Sequence, residues 1–123
     1  MNIKKRTEPP QDIQLGSASR VFLTITIGNA QIGGSIVQFK DAGQPLAKGT
    51  IIDLDMGPAS ALAGRTLLVQ TNVLDSNASI NRIVFTHLFH DEQGNQLASF
   101  QIKDQVDNDG DILSSLATYN FQS

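Results

Sequence analysis

The segment with the most obvious potential for chemistry is DQVDNDGDIL (104–113), which places four aspartates within ten positions. Carboxylate oxygens are the ligands that calcium prefers, and Asp107, Asp109 and Asp111 are spaced two residues apart. An EF-hand loop that begins at Asp107 needs Gly at its sixth position, where this chain has Ile112, and Glu at its twelfth, where it has none. The EF-hand match therefore fails.

Two interpretations of this stretch stay open. Asp107, Asp109 and Asp111 bind calcium if a neighbouring loop supplies further carboxylates. The candidates for that second loop are Asp41, Asp75 and Asp91. The other interpretation, which we favour, is that Asn108-Asp109-Gly110 forms a hairpin turn, because Asn, Asp and Gly tolerate the backbone conformations of tight turns. No other cofactor is indicated.

The two histidines, His87 and His90, are three residues apart and face opposite sides of a strand. They therefore cannot form a two-histidine metal pair unless the strand bulges. His87 shares its face with Phe85 and Phe89, which predicts a packed histidine rather than a catalytic one.

Patterns typical of enzymes are missing elsewhere. No G-x-S-x-G nucleophile elbow occurs, and the glycines of IGGSIV (32–37) predict a bulge or a tight bend instead. A phosphate-binding loop would be followed by a helix, but a strand pattern follows here. Asp53 and Asp55 lie on the same face of a predicted strand. Exposure of that face to solvent explains two aspartates more simply than a catalytic carboxylate pair of a glycosidase does. We expect no enzymatic activity, and a small hydrolase is the weakest of three functional hypotheses.

Composition narrows the classes of partner. The 123 residues include 40% hydrophobic and 17% charged residues, carry a net charge of −3 and contain no cysteine. Disulfides, thiolate zinc sites and cysteine nucleophiles are excluded. The only basic cluster is Lys4-Lys5-Arg6, so we expect no nucleic-acid partner. The chain has no Trp and a single Tyr, which argues against a lectin.

No apolar run approaches the ~20 residues of a transmembrane helix, and no apolar segment follows the basic start as in a signal peptide. We expect a cytoplasmic protein. Export by a machine that reads no signal peptide would leave the same sequence.

Alternation of apolar and polar residues dominates the chain after residue 16. In RVFLTITI, for example, Val21, Leu23 and Ile25 share one face, and β-branched residues are frequent, as strands prefer. Seven segments follow this pattern: 20–27, 35–40, 50–56, 66–74, 82–90, 97–103 and 111–121. With glycines near most segment ends, this predicts an all-β fold, a two-sheet antiparallel β-sandwich of about seven strands, immunoglobulin-like or C2-like. A jelly roll or small barrel is the alternative.

Residues 1–16 differ from the rest, since Pro9-Pro10 blocks helix and favours extended backbone. We expect a flexible N-terminal arm over 1–16 and a single β-sandwich domain over 17–123. Such an arm is either a disordered leader or a strand that adds to a neighbour's sheet edge.

Apolar residues also interrupt the polar strand faces. Segment 82–90 is apolar on both sides, and Phe22, Val84 and Leu88 are the candidate interaction residues. Our first hypothesis is a non-enzymatic module that binds a protein partner or forms a homo-oligomer through such faces and the arm. The alternative is a calcium-dependent binding module. Only under this alternative do we expect a membrane surface as a partner.

Overall fold

The structure, a computed structural model, describes residues 1–123. Its elements in chain order are β1 (Ile3–Thr7), β2 (Gln11–Gln14), β3 (Arg20–Ile27), β4 (Ile32–Phe39), β5 (Ala47–Gly49), β6 (Leu54–Pro58), α1 (Ala59–Leu62), β7 (Thr66–Leu74), β8 (Arg82–Asp91), β9 (Gln96–Gln105) and β10 (Ile112–Gln122). The helix α1 has four residues, so no helix has the length and apolarity to cross a membrane.

Two sheets pack face to face. The six-stranded sheet has the order β1-β10-β7-β4-β5, with β2 also paired to β10, and the four-stranded sheet has the order β6-β3-β8-β9. The prediction of an all-β, two-sheet sandwich is confirmed. Six of the seven segments with alternating pattern correspond to β3, β4 and β7 to β10, because a strand with one face on the core and one face outside must alternate. Segment 50–56 overlaps β6 only at residues 54–56, and Ile51 is buried there while Ile52 is exposed.

The core has two parts. Seventeen buried residues, among them Leu23, Val69 and Phe121, form the main cluster, and a second cluster of six surrounds Phe85 and Leu113 at the other end of the sandwich. Buried polar side chains separate the two clusters, and they form the first part of the site described below.

The turns are partly as expected. The loop between β8 and β9 is a hairpin with Gly94 at φ 82°, as its sequence predicts. Asn108-Asp109-Gly110 is also a turn, with Gly110 at φ 84° and a bond from Asp111 N to Asn108 O of 3.1 Å. It is not a hairpin turn, however, because it joins β9 to β10, which belong to different sheets.

The glycines of β4 do not form the predicted bulge or bend. Residues Ile32 to Phe39 pair with β7 in an uninterrupted register. At Gly33 a Cβ atom would lie 2.4 Å from the carbonyl oxygen of Asn72 and 2.9 Å from Ile27 Cδ1. This glycine therefore serves the close approach of neighbouring groups rather than a change of direction.

The N-terminal segment differs from the flexible arm that the sequence led us to expect. β1 and β2 both pair in parallel with β10, β1 along residues 112–116 and β2 along 119–122. Ile13 and Leu15 are 1% and 3% exposed and belong to the main core cluster. The two prolines do not keep the segment free; they separate two short strands, each too short for its alternation to be recognised.

If β2 is part of the fold, Ile13→Ala should lower the free energy of unfolding by about 2–4 kcal/mol, since it removes a buried side chain and leaves a cavity. Urea denaturation of the purified protein measures this loss. Ile52→Ala is the matched control, because Ile52 is 68% exposed, and it should change stability by less than about 0.5 kcal/mol. Equal, small effects at both positions would mean that the N-terminal segment is a free arm.

Candidate functional site

A chain of hydrogen bonds crosses the middle of the sandwich. Ser35 Oγ lies 2.9 Å from Thr71 Oγ1, and Thr71 Oγ1 lies 2.9 Å from His87 Nε2. On its other side His87 Nδ1 lies 2.6 Å from the hydroxyl of Tyr119. The four residues come from β4, β7, β8 and β10 and are at most 3% exposed. Elsewhere in these strands the inward-facing positions hold apolar residues. At these four positions they hold polar residues, which hydrogen-bond to one another.

The buried surroundings of these hydrogen-bonded side chains favour the neutral form of His87. Burial lowers the pKa of His87 to about 4, so its ring is uncharged at neutral pH, with one nitrogen donating and the other accepting. Burial likewise raises the pKa of Tyr119, helped by the negative charge of Glu8. No carboxylate hydrogen-bonds to His87, and its side chain is fully buried. The ring lacks the oriented, accessible geometry of a general base, and the prediction of a packed histidine agrees with its position.

In the acidic stretch, Asp111 holds the N-terminus and the turn before β10 in place. Asp111 is 4% exposed, and its carboxylate accepts hydrogen bonds from the backbone N–H of Asn2 (2.9 Å) and of Asn108 (3.1 Å). The first bond ties the N-terminus to the start of β10, and the second closes the turn before it. A buried carboxylate is stable here because backbone donors replace the lost water.

A second buried carboxylate, Asp75, lies beside this turn at 2% exposure. It accepts a bond from Gln31 Nε2 at 2.9 Å. The side-chain amide of Asn81, in the orientation that satisfies both acids, donates to Asp75 Oδ2 at 2.7 Å and to Asp109 Oδ1 at 2.8 Å. An amide group thus occupies the position between two carboxylates from different loops.

The aspartates predicted to bind calcium are not brought together as ligands. No group of three or more His, Cys, Asp or Glu side chains is placed to hold a metal ion. Asp107 is exposed, while Asp109 and Asp111 bond to amides. Of the candidates in other loops, Asp41 forms an ion pair and Asp91 caps its own hairpin, and Asp75 is held as described.

The residues predicted to mediate interactions all lie on the outer face of the four-stranded sheet. Phe22, Val84 and Leu88 are all half-buried. Phe22 stacks on the ring of His90, with centroids 5.5 Å apart, and Leu88 lies opposite Thr24. The charged residues of this sheet near these positions are Arg20, Asp55 and Lys103.

The outer face of the six-stranded sheet has a different character, which the sequence analysis missed. Its three central strands, β4, β7 and β10, have 8, 9 and 11 residues and contain no charged side chain. About half of these residues face outward, and at the chain-wide charged fraction of 17% about three charges would be expected among them. Solvated sheet faces normally carry charges, so this uncharged face calls for a functional explanation.

An apolar row crosses one end of this face. Ile3 pairs with Ile112, Ile112 pairs with Leu74, and Leu74 pairs with Ile32, so four neighbouring strands each contribute one residue. Ile32 is 64% exposed, Ile3 55% and Leu74 36%, and Leu116, two rows away, is 38% exposed. These residues make up four of the seven large hydrophobic side chains that the molecule exposes.

A signal for this face was present in the sequence. Segments 32–39, 66–74 and 112–122 are each free of Asp, Glu, Lys and Arg. What the sequence did not show is that these segments lie side by side in one sheet, which turns three uncharged strands into one uncharged surface.

No protein-family model, no curated protein and no solved structure matches the chain.

The buried neutral His87 predicts a loss of stability in weak acid. Its pKa is about 4 in the folded protein and about 6.5 in the unfolded chain, so the unfolded state binds more protons as the pH falls below 6.5. The contribution is fully present above pH 6.5, and about 2 kcal/mol of it should be lost by pH 5. Urea denaturation of wild type and His87→Gln at pH 7 and pH 5 measures this.

The His87→Gln variant should be less stable than wild type at pH 7, but it should lose less stability between pH 7 and pH 5. If wild type and variant decline in parallel, other groups cause the acid sensitivity.

The acidic turn should be indifferent to calcium. Because donors from the protein already satisfy Asp75, Asp109 and Asp111, we expect equal melting temperatures in excess EDTA and in millimolar calcium, with magnesium as control. Saturating a real site about 100-fold above its Kd would add ~2.7 kcal/mol, a shift that calorimetry resolves easily. A calcium-specific rise would restore the calcium-dependent hypothesis.

Proposed function

We propose that this protein is a non-enzymatic assembly module that self-associates through the outer face of the six-stranded sheet. The observation that carries the proposal is the charge-free surface of β4, β7 and β10 with its row of exposed isoleucine and leucine side chains. The core of a protein–protein interface is depleted of charge in the same way.

The size of the face limits the possible interface. β4, β7 and β10 have 8, 9 and 11 residues, so the uncharged part of the face is about 30 Å long and about 15 Å wide, which gives about 450 Å². A standard interface buries about 800 Å² on each partner. A stable interface must therefore also cover the flanking strands β1, β2 and β5, as happens when two similar sheets stack.

A second copy of this chain is the partner that best fits the chemistry. In a two-fold dimer the same patch meets itself, so any charge near its centre would lie close to an identical charge. A face without charges avoids this repulsion, and its amide and hydroxyl groups, such as Gln70, Asn72 and Ser114, can bond to each other across the interface. The nearest charged groups are Lys5, Asp12 and Lys48, which lie on the marginal strands β1, β2 and β5 and pair with Ser114, Asn120 and Ile36.

A charge placed on this face should separate the copies. We expect wild type to sediment as a dimer at micromolar concentration, and Leu74→Lys or Leu116→Lys to weaken dimerisation at least tenfold, because an unpaired ammonium would have to be desolvated. Sedimentation equilibrium over a concentration series gives the dissociation constants. Circular dichroism verifies that each variant keeps its sheets.

Leu88→Lys is the matched control, since it introduces the same charge on the outer face of the other sheet. It should leave the dissociation constant unchanged. A wild-type protein that stays monomeric at all concentrations, or a control that disrupts the dimer as strongly as Leu74→Lys, would contradict the proposal.

A further inference from the structure

Strand β9 is the outermost strand of the four-stranded sheet and pairs only with β8. Its pairing is continuous from Ala98 to Gln105, so alternate residues direct their backbone groups toward β8 and away from it. The carbonyl groups of Lys103 and Gln105 point away, since side chains of β1 bond to them. By the same alternation, the backbone N–H and C=O groups of Ser99 and Gln101 also point away from β8.

The C-terminal half of this free edge is covered. Arg6 Nη1 donates to Lys103 O at 3.2 Å, and Lys4 Nζ donates to Gln105 O at 3.0 Å. Both side chains also pair with Asp104 at 2.9 Å, which fixes β1 beside β9. Charged side chains of this kind are a common protection of strand edges.

The other half of the edge has no hydrogen-bonded partner, although β2 passes beside β9. No group of the protein hydrogen-bonds to the outward backbone groups of Ser99 and Gln101. The segment opposite contains Pro9 and Pro10, which have no backbone N–H to offer. The N-terminal half of β9 also lacks charged side chains and proline, so the usual protection is missing here.

A cavity of about 280 Å³ lies along this open half. Phe100, Ala117 and Tyr119 line it from the side of the core, and Pro9 and Gln11 line it from the side of the N-terminal segment. Phe100 and Tyr119 pack against each other with ring centroids 5.0 Å apart. The cavity therefore has an apolar floor next to a row of free backbone donors and acceptors.

We propose that this cavity binds an extended peptide that adds as a strand beside β9. The peptide's main chain bonds to the backbone of Ser99 and Gln101, and one apolar side chain enters the cavity over Phe100 and Tyr119. An extended peptide fits because free N–H and C=O groups on alternate residues match the two-residue repeat of another strand. This site lies at the β9 edge of the four-stranded sheet. It is separate from the outer face of the six-stranded sheet.

The probe is an acetylated, amidated peptide that alternates threonine and valine over about seven residues, titrated into ¹⁵N-labelled protein. We expect the amide signals of Ser99 and Gln101 to shift most. Ser99→Pro removes one outward N–H that β8 does not use, so the sheet is kept and binding should weaken at least fivefold. Ser99→Ala, which keeps the N–H, should bind as wild type does.

A second test does not depend on the folding of a variant. Methylation of the peptide nitrogens that face β9 should abolish binding, while methylation of those on its other edge should leave binding intact. Leu74→Lys should bind the peptide normally, which separates this site from the dimer face. No shifts at Ser99 and Gln101, equal binding by Ser99→Pro and Ser99→Ala, or equal effects of both methylation patterns would overturn the proposal.

Discussion

The hydrogen-bonded chain from Ser35 through Thr71 and His87 to Tyr119 is the constraint around which the sandwich is organised. Buried hydroxyl and imidazole groups are tolerated only when they are bonded, so β4, β7, β8 and β10 must keep the register that brings these atoms together. The chain links both sheets and divides the apolar core into its two clusters. It also holds the side chains of His87 and Tyr119 in hydrogen bonds inside the core.

The two outer faces of the sandwich differ in their charge. The four-stranded sheet carries charged pairs such as Arg20 with Asp55, as a solvated face does. The six-stranded sheet carries its charges only at the margins. Both faces follow from the same alternation along the strands, so only the choice of outward residues distinguishes them. A face that met only water would gain nothing from excluding charge.

Much of the fold could be predicted from the sequence, because alternation is strict wherever a strand is long. Segment 111–121, for instance, shows its five inward residues directly, and DEQGN shows its turn. Two kinds of information were not local. The partners of the acidic residues, such as Asn81 between Asp75 and Asp109, come from distant loops, so the sequence left a metal site open beside the favoured turn. The order of strands in a sheet is also non-local, and it alone joins three uncharged segments into one face.

The N-terminal segment covers one half of the β9 edge and leaves the other half without hydrogen-bonded partners. Lys4 and Arg6 belong to the only basic cluster of the chain, and both are engaged by Asp104, with Arg6 also held by Glu8. These contacts hold β1 against the second half of β9. The prolines that follow move the chain past the first half of β9 without pairing with it, and β2 then rejoins β10. Because β1 and β2 are both fixed on β10, the gap beside Ser99 and Gln101 is a fixed part of the fold rather than a frayed end.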